Sequence, residues 1–63
     1  MIPVAELKVG DGIAGGLTIT HIREYFIDHK GNLVQQFQVW MESSRMIESY
    51  FVYGADAMVE VKP

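Results

Sequence analysis

The sequence predicts an all-β chain, folded as one small, strongly bent, five-stranded antiparallel barrel over residues 1–63. Three observations lead there. Turn-forming clusters punctuate the chain at short intervals: Gly10-Asp11-Gly12, Gly15-Gly16, Asp28-His29-Lys30-Gly31-Asn32, Ser43-Ser44 and Gly54-Ala55-Asp56. That rhythm of roughly 8 to 12 residues belongs to small barrels and sandwiches. The stretches between the turns are rich in β-branched and aromatic residues, most clearly from Leu17 to Ile27. A short turn then leads into a last alternating run, Met58-Val59-Glu60-Val61-Lys62. The chain contains no repeat, low-complexity run or linker, so a single domain follows.

Leu17-Thr18-Ile19-Thr20 alternates apolar with polar, as a half-buried strand does. The alternation slips afterwards, because Ile22 has the opposite parity from Leu17 and Ile19. A bulge or strong bend near His21 accounts for the slip and would let a small sheet curl. Asp28-His29-Lys30-Gly31-Asn32 fits a hairpin loop in which a type I turn is followed by Gly31 in the left-handed conformation, forming a G1 bulge. Asp28 then faces Asn32, Ile27 faces Leu33, Phe26 faces Val34 and Tyr25 faces Gln35. In that register one face carries Tyr25, Ile27, Leu33, Phe37 and Val39, and the other carries Ile22, Phe26, Val34 and Trp40.

From Met46 to Tyr53 the sequence supports two readings. Met46, Ile47, Tyr50 and Phe51 have helical spacing, and Gly54 could cap a helix. Tyr50-Phe51-Val52-Tyr53 is four strong β-formers in succession, and eight residues is short for a helix, so strand is the expected state. Gly54-Ala55-Asp56-Ala57 is then a tight turn. Val59 and Val61 point inward after it, and Glu60 and Lys62 outward.

The opening Leu7-Lys8-Val9-Gly10-Asp11-Gly12-Ile13 resembles the LxVGDxI start of many small barrels, in which the leucine plugs the barrel and a Gly-Asp turn precedes the first strand. Together with Gly15 to Ile22 and the closing Asp56 to Val61, it resembles small SH3-like β-barrel proteins of bacteria and their phages. The resemblance implies the barrel fold, with a short turn before the last strand. It carries no function across, because one fold hosts many unrelated roles.

Composition excludes several classes. Hydrophobic residues make up 49% and charged residues 21%, the balance of a folded chain rather than a disordered one. At 63 residues and without cysteine, stability must come from a small core or from association, since no disulfide or thiolate metal site can form. The uncharged stretch Gly12 to Thr20 is about half of what a membrane helix needs. The first residues show no secretory pattern, and the cytoplasm is the expected location. Net charge is −3, with the basic residues Lys8, Arg23, Lys30, Arg45 and Lys62 dispersed along the chain. That opposes the basic footprint of a general nucleic-acid binder.

No pattern of chemistry emerges from the motifs. Gly10-Asp11-Gly12-Ile13-Ala14-Gly15 matches G-x-G-x-x-G in form, but a strand rather than a helix follows it, so the glycines read as turn residues. His21 and His29 have no partner ligand at metal spacing. Ser43 and Ser44 lack a nucleophile context, and no carboxylate pair can be placed at a catalytic separation. No catalytic residue, metal or cofactor is therefore assigned.

Trp40, Tyr25, Tyr50 and Tyr53 are the side chains to follow, as core packing or as a binding surface. Trp40 has the parity opposite to Phe37, Val39 and Met41 and is the best candidate anchor. The candidate interface is Trp40, Phe26, Tyr25, Val34 and Tyr53. The expected role is a non-enzymatic, bacterial or phage interaction module that binds a protein partner or itself, with a homodimer as one form. The alternatives are a nucleic-acid barrel that uses exposed aromatics, and an acidic inhibitor of a host nucleic-acid machine.

Overall fold

The computed structural model describes residues 1–62, with the backbone alone at Met46. Among these, strands β1 (Ile2–Pro3), β2 (Gly12–Ile13), β3 (Leu17–His29), β4 (Asn32–Ser43), β5 (Met46–Gly54) and β6 (Met58–Val59) follow in order, with a 3-10 turn at Val4–Glu6. One antiparallel sheet has the order β2-β3-β4-β5, and β1 pairs with β6 in a second. The expected strand at 46–53 is thus found as β5. The expected five-stranded barrel is corrected to six strands in two sheets, forming a curled antiparallel half-barrel. Among the described residues no helix is long and apolar enough to cross a membrane.

The half-barrel stays open because its closing strands are short. β1 and β6 hold only two residues each. Beyond β6, Val61 bridges Ile13, and the Lys62 amide donates to the Gly12 carbonyl at 2.9 Å, which ties the C-terminal segment to β2. Among the described residues β5 pairs only with β4 and β1 only with β6, so the barrel is not sealed between β1 and β5.

The core gathers at one end of the long β3–β4 hairpin. Ile19, Phe37, Val39 and Met41 form its floor, and Val4, Leu7, Ile13 and Val59 cover them. Leu7 is buried in this cluster. Behind it the Asp11 carboxylate accepts from the Lys8 amide at 2.9 Å, and the Asp11 amide donates to the Lys8 carbonyl at 3.0 Å, which fixes the turn. The main chain docks this turn on β3, where the Gly10 amide donates to the Ile19 carbonyl at 2.8 Å.

The bulge expected near His21 lies between Ile19 and His21, where Thr20 is the extra residue. It brings Ile22 to the core side beside Ile19, resolving the parity slip. The hairpin register, however, differs by one place from the expected one. His29 pairs with Asn32, Asp28 with Leu33, Ile27 with Val34 and Tyr25 with Gln36. The loop is a two-residue turn, with Lys30 at φ 53 and Gly31 at φ 82. Positive φ at both central positions is the type I′ geometry, whose twist matches that of the flanking strands. Asp28 stabilises it by accepting from the Gly31 amide at 3.1 Å. As a result Tyr25 and Ile27 share a face with Val34 and Trp40, while Ile22 and Phe26 share one with Leu33, Phe37 and Val39.

The hairpin outruns the core. β3 and β4 hold 13 and 12 residues, about 40 Å of strand at ~3.4 Å per residue, and the molecule measures 41 × 23 × 15 Å. Its radius of gyration is 12.4 Å, against roughly 11 Å for a compact chain of this length. Phe26 and Leu33 lie beyond the core and are 56% and 76% exposed.

This division predicts two contrasting substitutions. Ile19→Ala, at a position 1% exposed, is expected to cost about 2 to 5 kcal/mol and to unfold most of the population, whereas Leu33→Ala should stay within about 0.5 kcal/mol of the parent. Urea titration followed by circular dichroism separates them. In the turn, Lys30→Asn places a residue that tolerates positive φ and should raise stability by roughly 0.5 to 1 kcal/mol. A midpoint that falls would contradict the type I′ assignment.

Candidate functional site

The four-stranded sheet has one covered face and one bare face. The core side is covered by the 3-10 turn and the β1–β6 pair, and Ile13 of β2 joins the same core. By register the other side presents His21, Arg23, Tyr25 and Ile27 from β3, Val34, Gln36, Gln38 and Trp40 from β4, and Tyr50 and Val52 from β5.

Across this face runs a row of rings. Trp40 pairs with His21 on one side and Tyr50 on the other. Ring centroids are 4.8 Å apart for His21 and Trp40 and 5.8 Å for Trp40 and Tyr50, with interplanar angles of 56° and 48°. Tilted contacts of this range are favourable beyond their area, and cross-strand aromatic pairs stabilise sheets directly. Trp40 is half-buried by its neighbours, and Tyr50, at the sheet edge, is 57% exposed. Further along, the Tyr25 hydroxyl donates to Gln36 Oε1 at 3.0 Å, and the Arg23 guanidinium lies 5.9 Å from the centre of the Tyr25 ring. At the other end the Thr20 hydroxyl donates to Glu48 Oε2, reaching over β4.

These groups offer apolar area, ring faces and a few hydrogen-bonding amides. They offer no arrangement of nucleophile, base and oxyanion donors. Among the described residues no cluster of three or more His, Asp or Glu side chains gathers around a point where a metal could sit. An open hollow of about 410 Å³ lies at the β4–β5 turn, lined by Glu42, Ser43, Ser44, Arg45 and Ile47. It is separate from the ring row.

Of the candidate interface residues, Trp40, Tyr25 and Val34 lie on the bare face, Val34 toward the hairpin tip and Trp40 toward the core end. Phe26 and Tyr53 are on the core side instead. Tyr53 packs against the core, and Phe26 projects past it. The five therefore do not form one surface. His21, which in sequence marks a bend and has no partner ligand at metal spacing, is the member of the row that the candidate interface omits. Its parity joins that of Trp40 only once the extra residue is located at Thr20 and the hairpin register is set by a two-residue turn. Comparison of the chain with protein-family models, with curated proteins and with solved structures finds no match.

The placement of Trp40 makes a test of the face. Trp40→Ala should leave a folded chain, losing roughly 1 to 2 kcal/mol, below the 3 to 5 kcal/mol usual for a core tryptophan. Far-ultraviolet circular dichroism and thermal melting check it, and an unfolded variant at high protein concentration would return Trp40 to the core.

Proposed function

We propose that the chain is a non-enzymatic interaction module, and that it binds a protein partner or a second copy of itself through the bare face of its sheet. The observation that carries this reading is the His21–Trp40–Tyr50 row, continued by Tyr25 and Arg23, on a face that no other part of the described chain covers. Trp, Tyr and Arg dominate interface hot spots, because each brings large rigid area together with a polar group. Gln36 and Gln38 supply adaptable donors and acceptors beside the rings.

Total surface supports the same reading. The chain exposes 4492 Å², whereas a compact monomer of its mass exposes about 4,100 Å². The excess reflects the projecting hairpin, with apolar side chains on both faces. The curled sheet, buried Leu7 and a last segment that runs from β1 to β2 favour an SH3-like barrel left open on one side.

A second reading is base stacking on the same rings, as small barrels use for single strands. Its positive charge on this face is limited to Arg23, on a chain of net charge −3. Inhibition of a host nucleic-acid machine by an acidic surface is a third, with only the overall charge behind it.

Two measurements separate these readings. Trp40→Ala should weaken capture of a protein partner, or self-association, by about 30-fold while the fold persists. Fluorescence anisotropy with labelled single-stranded DNA should give no binding tighter than the ~10⁻⁴ to 10⁻⁶ M of non-specific association. Submicromolar, salt-sensitive binding would replace the protein-partner reading with the second one.

A further inference from the structure

We infer that the free edge of β5 pairs with β5 of a second copy, antiparallel about a two-fold axis at Phe51, to join two half-barrels into one continuous sheet. This rests on the interaction-module reading and deepens it, assigning the contact with a second copy to the β5 edge beside the bare face.

The sheet has two free edges, and only one is protected. Along β3 the unpaired edge beyond the bulge carries Arg23, Glu24 and Asp28. Charges and bulges of this kind are the usual guards against edge-to-edge pairing. β5 has neither Lys nor Pro, and its one charge is Glu48. That carboxylate is exposed and is held by the Thr20 hydroxyl across β4, at the start of the strand rather than along its regular stretch. The uncharged run Ser49-Tyr50-Phe51-Val52-Tyr53 follows, with unpaired main-chain groups along its outer side and with Tyr50, Phe51 and Val52 exposed. An extended segment added there would satisfy those groups, the mode known as β-augmentation.

A second copy fits for reasons of register and charge. The irregularity between Met41 and Ser43 sets Ile47 and Glu48 together against Glu42, so β5 pairs regularly with β4 only from Ser49 onward. An antiparallel two-fold contact confined to that regular stretch, with both core sides on the same side of the joined sheet, centres on Phe51. Tyr50 then faces Val52 of the other copy, Ser49 faces Tyr53, and Phe51 faces its own counterpart. Aromatic–aromatic and aromatic–β-branched pairs are the favourable cross-strand combinations. Glu48 falls opposite Gly54, so no like charges meet. The ring row also continues, because Tyr50 ends it at this edge. An edge of this length buries less than the ~1,200 Å² of a tight complex, so dissociation in the micromolar range is expected.

The test uses the full chain, which has no native cysteine. Sedimentation equilibrium up to about 1 mM should show a reversible dimer. Single-cysteine variants then read the register under mild oxidation. Phe51→Cys places two thiols directly opposite and should cross-link, because paired Cβ atoms lie about 5 Å apart. Ser49→Cys and Tyr53→Cys, each about four residues out of register with itself, should not. Phe51→Lys and Phe51→Glu should each be monomeric, and their equimolar mixture should dimerise. If Phe51→Lys does not fold, the cysteine series still decides. A wild type that stays monomeric, or cross-linking at Ser49 but not at Phe51, overturns the inference. A monomer whose Trp40 still captures a different protein would leave the broader module reading standing.

Discussion

The rest of the molecule depends on the bulge at Thr20. A strand carries one set of side chains to each face, and a single inserted residue exchanges the sets. Before the insertion, Leu17 and Ile19 face the core; after it, Ile22 does. Without the exchange, Ile22 would face outward, and His21 would occupy the core side in its place. The ring row and the core are therefore two consequences of one local irregularity. The same residue ties its hydroxyl to Glu48 across β4, which links β3 to β5 at the point where both depart from regular pairing.

The described residues cover one end of the hairpin and leave Phe26, Ile27, Leu33 and Val34 exposed toward its tip. The N-terminal turn, β2 and the C-terminal segment suffice for one end, where Val39 is fully buried. Toward the tip the hairpin is held by its own cross-strand pairs and by a turn whose twist suits the strands. A lone hairpin is marginal in water. Its rigidity at the tip must come from continuity with the covered end, and stability should decline along its length. The far end is then the place where opening costs least.

The elements were legible in sequence to the extent that local chemistry decides them. Turn clusters, β-branched runs, the parity slip at His21 and the outward parity of Trp40 are each written within a few residues. The hairpin register was not, because Asp28 to Asn32 suits both a type I turn with a bulge and a type I′ turn. The choice between them rests on whether Lys30 accepts a positive φ. An error of one place there exchanges Tyr25 with Phe26 between faces, so the candidate site inherited it. The open side of the barrel was also hidden. It depends on how many residues β1 and β6 can pair, which is a property of the whole fold.

The contrast between the two free edges separates what each has to do. β3 must remain solvated beyond the bulge, and its charges keep other strands away whatever the partner. β5 lies beside the opening between β1 and β5, where a closed barrel would have used its edge groups internally. Leaving the barrel open transfers that hydrogen-bonding capacity to the surface without adding a charge to protect it. An unguarded edge of this composition is an aggregation hazard unless one partner pairs there in a defined register. The run is bounded by Glu48 on one side and the turn at Gly54 on the other, which keeps the pairing segment short. Short, bounded and apolar, the edge favours a closed two-fold contact over an open-ended array, because each copy offers one such edge and pairing consumes it.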